Sequence, residues 1–225
     1  MLTNNVLQRT FRITYCGNTG TCFAIDVDGR QYIVTARHVV DGIHPKDSIS
    51  IYHDGIWKTL RTEIAWLSQS EQDIAILSPE IQISPTHPLE PTSAGMVLGQ
   101  DVYFCGYPYG LKVEVGPDLN RGFPIPLVKK GVLSGMFPGH ILIDGINNPG
   151  FSGGPVVFAA PRSNDFKVAG VISGYKVEYD AVLLNGEDVG LRYGYNTGLV
   201  LAYDLRLGVE YITQNPTGVM VRASA

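Results

Sequence analysis

Apolar residues along this chain come in short runs, either alternating with polar ones or nearly continuous. Each run soon breaks at Gly, Pro, Asn or Asp. A period near two with frequent interruption predicts strands, because successive strand side chains point to opposite faces. Strands are expected over Phe11–Cys16, Cys22–Val27, Gln31–Ala36, Ser48–Tyr52, Thr59–Trp66 and Ile74–Ser78. A second set is expected over Asp101–Gly106, Leu127–Ser134, His140–Ile143, Pro155–Phe158, Lys167–Ser173 and Gly198–Ala202. "GNTG", "DVDGR", "HDG", "NPG" and "PRSND" supply turns between them. Asp28–Gly29, between "FAIDV" and "RQYIVTA", is the sharpest hairpin signal, since tight hairpin turns need residues that accept positive φ. Helical spacing is scarce. Leu201, Leu205, Val209 and Ile212 recur at helix-like intervals and predict a terminal helix at about 203–214. "ARHVVDG" predicts a single helical turn after His38.

Strands this short and this often interrupted imply an all-β sandwich or a pair of barrels. No tract of low complexity or repeat divides the chain, and "HPLEPTSAGMVLG" (His87 to Gly99) reads as a connection between two halves. One domain over 1–225 is expected, with an N-terminal barrel over about 10–90 and a C-terminal barrel over about 98–203. A chain of 225 residues buries an adequate core without cross-links.

Composition narrows the function classes. With 44% hydrophobic and 17% charged residues the chain is neither disordered nor a membrane protein in type, and no apolar run is as long as a membrane span. A net charge of −4 disfavours nucleic acid as a partner. "MLTNNVLQRTFRITY" lacks a basic segment followed by an apolar core, so a cytoplasmic location is expected. Three cysteines make no disulfide framework. Cys16 and Cys22 flank "GNTGT", but a cytoplasmic setting argues against a bridge. No CxxC, HExxH or HxH occurs, and neither metal nor other cofactor is expected.

"NPGFSGGPVV" (Asn148–Val157) sets one hydroxyl, Ser152, among glycines and prolines. It reads as a surface loop or as a nucleophile whose neighbouring backbone must bend. A serine nucleophile needs a base in reach, and the base needs an acid to fix its tautomer. His44, His53, His87 and His140 sit in turn-like text, whereas His38 closes the apolar run "YIVTA". His38 is a rigidly held base or a core histidine bonded to a carbonyl. Asp73, ahead of "IAIL", is a solvated strand start or a partly buried carboxylate with a partner, and Asp101, ahead of "VYF", is its rival.

"TARHVV", "DIAIL" and "GFSGGPVV" in this order resemble the chymotrypsin-fold serine peptidases. The likeness is nearest to compact bacterial trypsin-like peptidases and to the catalytic domain of HtrA-like proteases, and a peptidase without a PDZ domain is expected. "GTCFAIDVDGRQYIVTARHVV", "VYFCGYPYGL", "KKGVLSG", "KVAGVISGY" and "NTGLVL" extend it over most of 10–205. The resemblance implies two six-stranded antiparallel barrels with a short C-terminal helix, and a serine endopeptidase acting on polypeptides through an acyl-enzyme. It assigns His38, Asp73 and Ser152 as the triad and the N–H groups of Gly150 and Ser152 as the oxyanion hole. Substrate contacts fall on Ile146, Ser173, Gly174, Tyr175 and Gly198, and Ser173 also bonds the triad acid. Phe151 stands where zymogen-type trypsins carry an aspartate, so activation by N-terminal cleavage is not expected. With Ile146 at the pocket base, a small or medium apolar residue is expected at the cut bond. A catalytically silent peptide-binding module and an esterase are the alternatives.

Overall fold

The computed structural model describes residues 2–69, 72–161 and 165–222. Most interruptions of the apolar pattern become reversals of the chain. β1 (Thr10–Tyr15), β2 (Asn18–Val27), β3 (Arg30–Thr35), β4 (Ser48–His53), β5 (Ile56–Leu67) and β6 (Ala75–Pro79) pair in the order β3-β2-β1-β4-β5-β6. β6 pairs back onto β3 and closes the sheet into a six-stranded antiparallel barrel. Asp28 and Gly29 turn β2 into β3 with φ of 49° and 72°.

After β7 (Glu90–Pro91) come β8 (Asp101–Gly106), β9 (Leu127–Phe137), β10 (His140–Asp144), β11 (Pro155–Ala159), β12 (Phe166–Leu184) and β13 (Glu187–Asp204). The order β11-β8-β9-β10-β13-β12, with β12 paired again to β11, closes a second six-stranded ring. β7 lies parallel to the start of β12. A helix, Arg206–Gln214, follows, and β14 (Val219–Met220) returns to pair with β3. The fold is all-β, two antiparallel barrels and a short C-terminal helix. Closure leaves few sheet edges in need of partners. Ile13, Phe23, Ile25, Ile33, Ile49 and Ile76 fill the first barrel, and Val102, Phe104, Phe151, Phe158 and Ile172 the second, all buried.

The structure departs from the pattern in three places. Leu201 lies in β13, and the helix starts only at Arg206, where Leu205 and Ile212 are buried beneath it. The strand expected to stop at Ser173 runs to Leu184, and its partner starts at Glu187, not Gly198. The two make one long hairpin, turned at Asn185 and Gly186 with φ of 52° and 87°. Cys16 sits in the β1–β2 turn and is exposed, whereas Cys22 is buried opposite Phe11, so the two do not face each other and both are free. The single helical turn expected in "ARHVVDG" is a 3-10 turn over Arg37–Val40 that includes His38. Residues 162–164 of the expected "PRSND" turn lie outside the described residues.

Candidate active site

Adjacent strand ends bring the first two groups together. β3 and β6 are hydrogen-bonded neighbours with Thr35 opposite Ala75. His38 follows the end of β3 and Asp73 precedes β6, so both emerge at the same rim. His38 Nδ1 lies 2.6 Å from Asp73 Oδ2, and the His38 backbone N–H donates to Oδ1 at 2.9 Å. An ionised carboxylate only accepts, so the imidazole proton belongs on Nδ1 and Nε2 is left as an acceptor. Ser173 Oγ donates to Asp73 Oδ2 at 2.6 Å. Burial alone would raise the Asp73 pKa, but the bonds from His38 and Ser173 outweigh it and hold the carboxyl below its ordinary value. Asp101, by contrast, is exposed and paired with Lys130 at 2.7 Å. Arg37 is exposed and donates to the Ser68 carbonyl at 2.5 Å.

The second barrel supplies the hydroxyl. The loop ahead of β11 is fastened to β12 by Gly153 N–H to Ile172 O at 2.7 Å and Ile172 N–H to Gly154 O at 2.8 Å. Ser152 Oγ donates to the Ser173 carbonyl at 2.9 Å. Ser173 therefore joins Ser152 to the Asp73–His38 pair. Among the described residues no hydrogen bond links Ser152 Oγ directly to His38.

The loop conformation explains its glycines. Gly150 has φ of 105°, and a Cβ there would lie 2.4 Å from the Tyr107 carbonyl. Gly153 has φ of 84°, and a Cβ there would lie 2.0 Å from the Thr21 carbonyl. Any side chain would break both the backbone geometry and the packing. The Pro149 carbonyl accepts from Tyr109 N–H at 2.9 Å. The peptide is planar and trans, so the Gly150 N–H points the opposite way. Neither the Gly150 nor the Ser152 N–H has a partner among the described residues. Two free donors beside a serine hydroxyl form a cradle for negative charge.

Phe151 is wholly buried and packs edge-on against Phe104, with ring centroids 5.2 Å apart. Next to it Lys129, on an inward-facing position of β9, donates to Ile146 O and Asn148 Oδ1, each at 2.5 Å. Its ammonium lies 5.5 Å from the Phe151 ring centre, and burial lowers its pKa. Ile146 is 61% exposed, and its carbonyl is the part engaged by Lys129. Gly198 O accepts from Gly145 N–H at 2.8 Å, which ties that loop to β13. β11 pairs with β12 only as far as Val171. Ser173, Gly174 and Tyr175 are half-buried, and beyond the loop their outer edge has no strand partner among the described residues.

The sequence reading missed Thr21 and Lys129. Thr21 is buried at the start of β2 and clamps the loop from the other barrel. Its N–H donates to Ser152 O at 2.8 Å and its Oγ1 to Gly150 O at 2.7 Å. Nothing in "GTCFAI" announces a partner so distant in sequence. Lys129 was legible as the charged member of the inward series Leu127, Lys129, Gly131, Leu133.

Solved structures with this fold include an HtrA-type protease, AlgW, in a variant carrying a tripeptide, at 20% identity and a TM-score of 0.60 over 93% of this chain. The chain spans 62% of that protein's length. The Rv3671c protease in an inactive form aligns at 17% identity and a TM-score of 0.57, covering 94% of this chain and 91% of the other. No curated protein sequence matches. The model of the trypsin-like peptidase domain matches residues 20–162, a stretch that includes His38, Asp73 and Ser152, and the chain belongs to that family.

Proposed function

We propose that this chain is a serine endopeptidase cleaving polypeptides through an acyl-enzyme. The observation that carries the reading is the pair of partnerless N–H groups on Gly150 and Ser152, set beside a hydroxyl and an oriented imidazole–carboxylate pair. Ser152 Oγ leaves the Ser173 carbonyl by rotation about one bond and attacks the scissile carbonyl. His38 Nε2 takes its proton. The oxyanion of the tetrahedral intermediate settles on the two N–H groups, each worth about 3 kcal/mol in such sites. Collapse breaks the C–N bond, His38 returns the proton to the leaving amine, and water reverses the sequence to free the acid. Asp73 holds the imidazole in the required tautomer throughout. The acyl half of the substrate adds as a strand along Ser173–Tyr175. An apolar residue is preferred beside the cut bond, because neither 146–150 nor 173–175 offers a carboxylate to a cationic side chain.

A fluorophosphonate probe tests the reading. Stoichiometric labelling of Ser152, abolished in Ser152→Ala and strongly slowed in His38→Ala, is expected, together with hydrolysis of an unstructured protein substrate. Absence of labelling in folded wild-type protein sinks it.

A further inference from the structure

Among the described residues Arg12 is a cation without an ion-pair partner. It lies in β1 opposite Thr21, the residue that clamps the Ser152 loop. Its guanidinium carbon sits 5.5 Å from the ring centre of Tyr52 and 5.0 Å from that of Trp57. The same group rests against Gly110, where an added Cβ would lie 2.8 Å from Nη2. Aromatic faces and a glycine thus fix its place. Yet among the described residues Arg12 makes no ion pair and no hydrogen bond to protein. A half-buried guanidinium that keeps its donors unmatched is poised for an external acceptor.

The space in front of it is a cavity of about 250 Å³, bordered by Arg12, Gly20, Tyr109, Gly110, Pro149 and Gly150. Gly150 is one of the two residues with a free N–H, and a Cβ at Gly20 would lie 2.8 Å from the Ser152 carbonyl. The cavity therefore abuts the reaction centre from the first-barrel side. The unpaired edge of Ser173–Tyr175 lies on β12 of the second barrel. A peptide whose acyl half follows that edge crosses Ser152 and sends its other half over Gly20 and Gly150. Other charge nearby is Lys112, whose ammonium is 5.0 Å from the Tyr52 ring centre and which is paired with Glu114 at 2.9 Å. That leaves the unpaired Arg12 charge to set the sign of the cavity.

We propose that Arg12 is a specificity residue for the leaving-group half of the substrate, binding the side-chain carboxylate of an aspartate or glutamate within the first two residues beyond the cut bond. The proposal rests on the peptidase reading for its direction along the substrate. The guanidinium offers two parallel N–H donors to a carboxylate, whereas a glutamine or asparagine in the same place supplies one neutral acceptor.

The test uses two measurements. Fluorogenic peptides with one acyl half carry Glu or Gln, or Asp or Asn, at each of the two leaving-side positions, all with amidated C-termini. Wild type is expected to favour the acid by about ten-fold in kcat/KM, a ratio that shrinks in added salt. In Arg12→Gln the ratio falls towards one, and in Arg12→Lys it persists in part. Thermal unfolding of both variants checks that they fold. Separately, Ser152→Ala with and without Arg12→Gln is titrated with amine-terminated peptides equal to the leaving halves, so recognition is read without turnover. Equal binding of acid and amide by Ser152→Ala, or a preference that survives Arg12→Gln, overturns the proposal. The same leaving halves with free C-termini are titrated in parallel, and discrimination seen only with these also overturns the proposal and moves the carboxylate to the chain end. Loss of phosphonate labelling with the binding difference intact would instead fault the peptidase reading and leave Arg12 as the carboxylate site.

Discussion

In the first barrel the six strands close on one another, and their inward side chains are buried. In the second, β12 and β13 finish the barrel wall and then run on as a free hairpin with solvent on both faces. Tyr179 is 72% exposed and Tyr193 51%, although they are paired with Gly194 and Asp180 across the hairpin. Backbone pairing and burial are thus separable here: the arm has the first with little of the second. Net hydrogen-bond free energy is small, about 1 kcal/mol each, whereas a buried aromatic contributes several. Stability should follow the barrels and be nearly blind to the arm. Chemistry divides differently, for His38 and Asp73 come from the first barrel and Ser152 from the second.

That division can be broken most sharply at the site. Ser152→Ala or His38→Ala is expected to lower hydrolysis by about 10⁴-fold or more, with the double variant no worse and the unfolding midpoint little changed. Asp101→Asn should stay within about two-fold of wild type in the same assay. An equal loss at Asp101 would reassign the acid.

Next in size is the core. Phe23→Ala removes a wholly buried ring from the first barrel and is expected to cost about 3–5 kcal/mol in denaturant unfolding.

Thr21→Val probes the joint between the barrels. It leaves the Gly150 carbonyl and the Tyr107 N–H without their Oγ1 partner, at a cost of about 1–3 kcal/mol. If Thr21 sets the loop, kcat should fall while acyl-side discrimination holds. A purely structural role would lower stability alone.

Acid sharpens the role of Asp73. Its folded pKa lies below the unfolded value, so the bonded carboxylate adds stability that is fully present above the unfolded pKa. That contribution is lost as pH falls through the folded pKa. Urea unfolding of wild type should weaken down this limb, and Asp73→Asn should flatten it. Parallel limbs in both proteins would count against the argument.

The smallest effect belongs to the arm. Val177 and Asn196 already face each other, and an Asn-Gly turn between them would replace residues 178–195. The unfolding midpoint should move by less than about 3 °C, or ~1 kcal/mol. A drop as large as that of Phe23→Ala would mean that the arm carries a hidden share of the core.

The same contrast decides what could be read from the sequence. Where a strand has one wet and one dry face, as in β1 or β9, alternation marks it, and buried runs such as "YIVTA" end where side chains such as His38 emerge. The grouping of His38, Asp73 and Ser152 came from the resemblance that "TARHVV", "DIAIL" and "GFSGGPVV" carry in that order, since the flanking apolar runs alone left His38 and Asp73 open. The arm has no dry face, yet "KVEYDA" alternates polar and apolar residues and Asn185–Gly186 is itself a strong hairpin turn, so its strands were legible in the sequence and only the exposure of their apolar side chains was not. Thr21 was invisible for another reason. Its partners are fixed by the docking of two barrels, which no local window contains. The disposition of Ile146 followed the same rule, because the inward lysine that bonds its carbonyl comes from β9.

One consequence of the long hairpin is mechanical. The ladder that starts at the Asn185–Gly186 tip continues without a loop through Tyr175 and Gly174 to Gly170, opposite Asp204. From Lys176 to Leu184 the free part of β12 reaches about 26 Å at the usual rise per residue. A load applied at the tip therefore acts with that lever arm on Ser173, whose hydroxyl and carbonyl are bonded to Asp73 and Ser152. The bulges between Ile172 and Gly174 and between Tyr175 and Val177 are the compliant joints of that lever, and they bracket the stretch where torque becomes displacement.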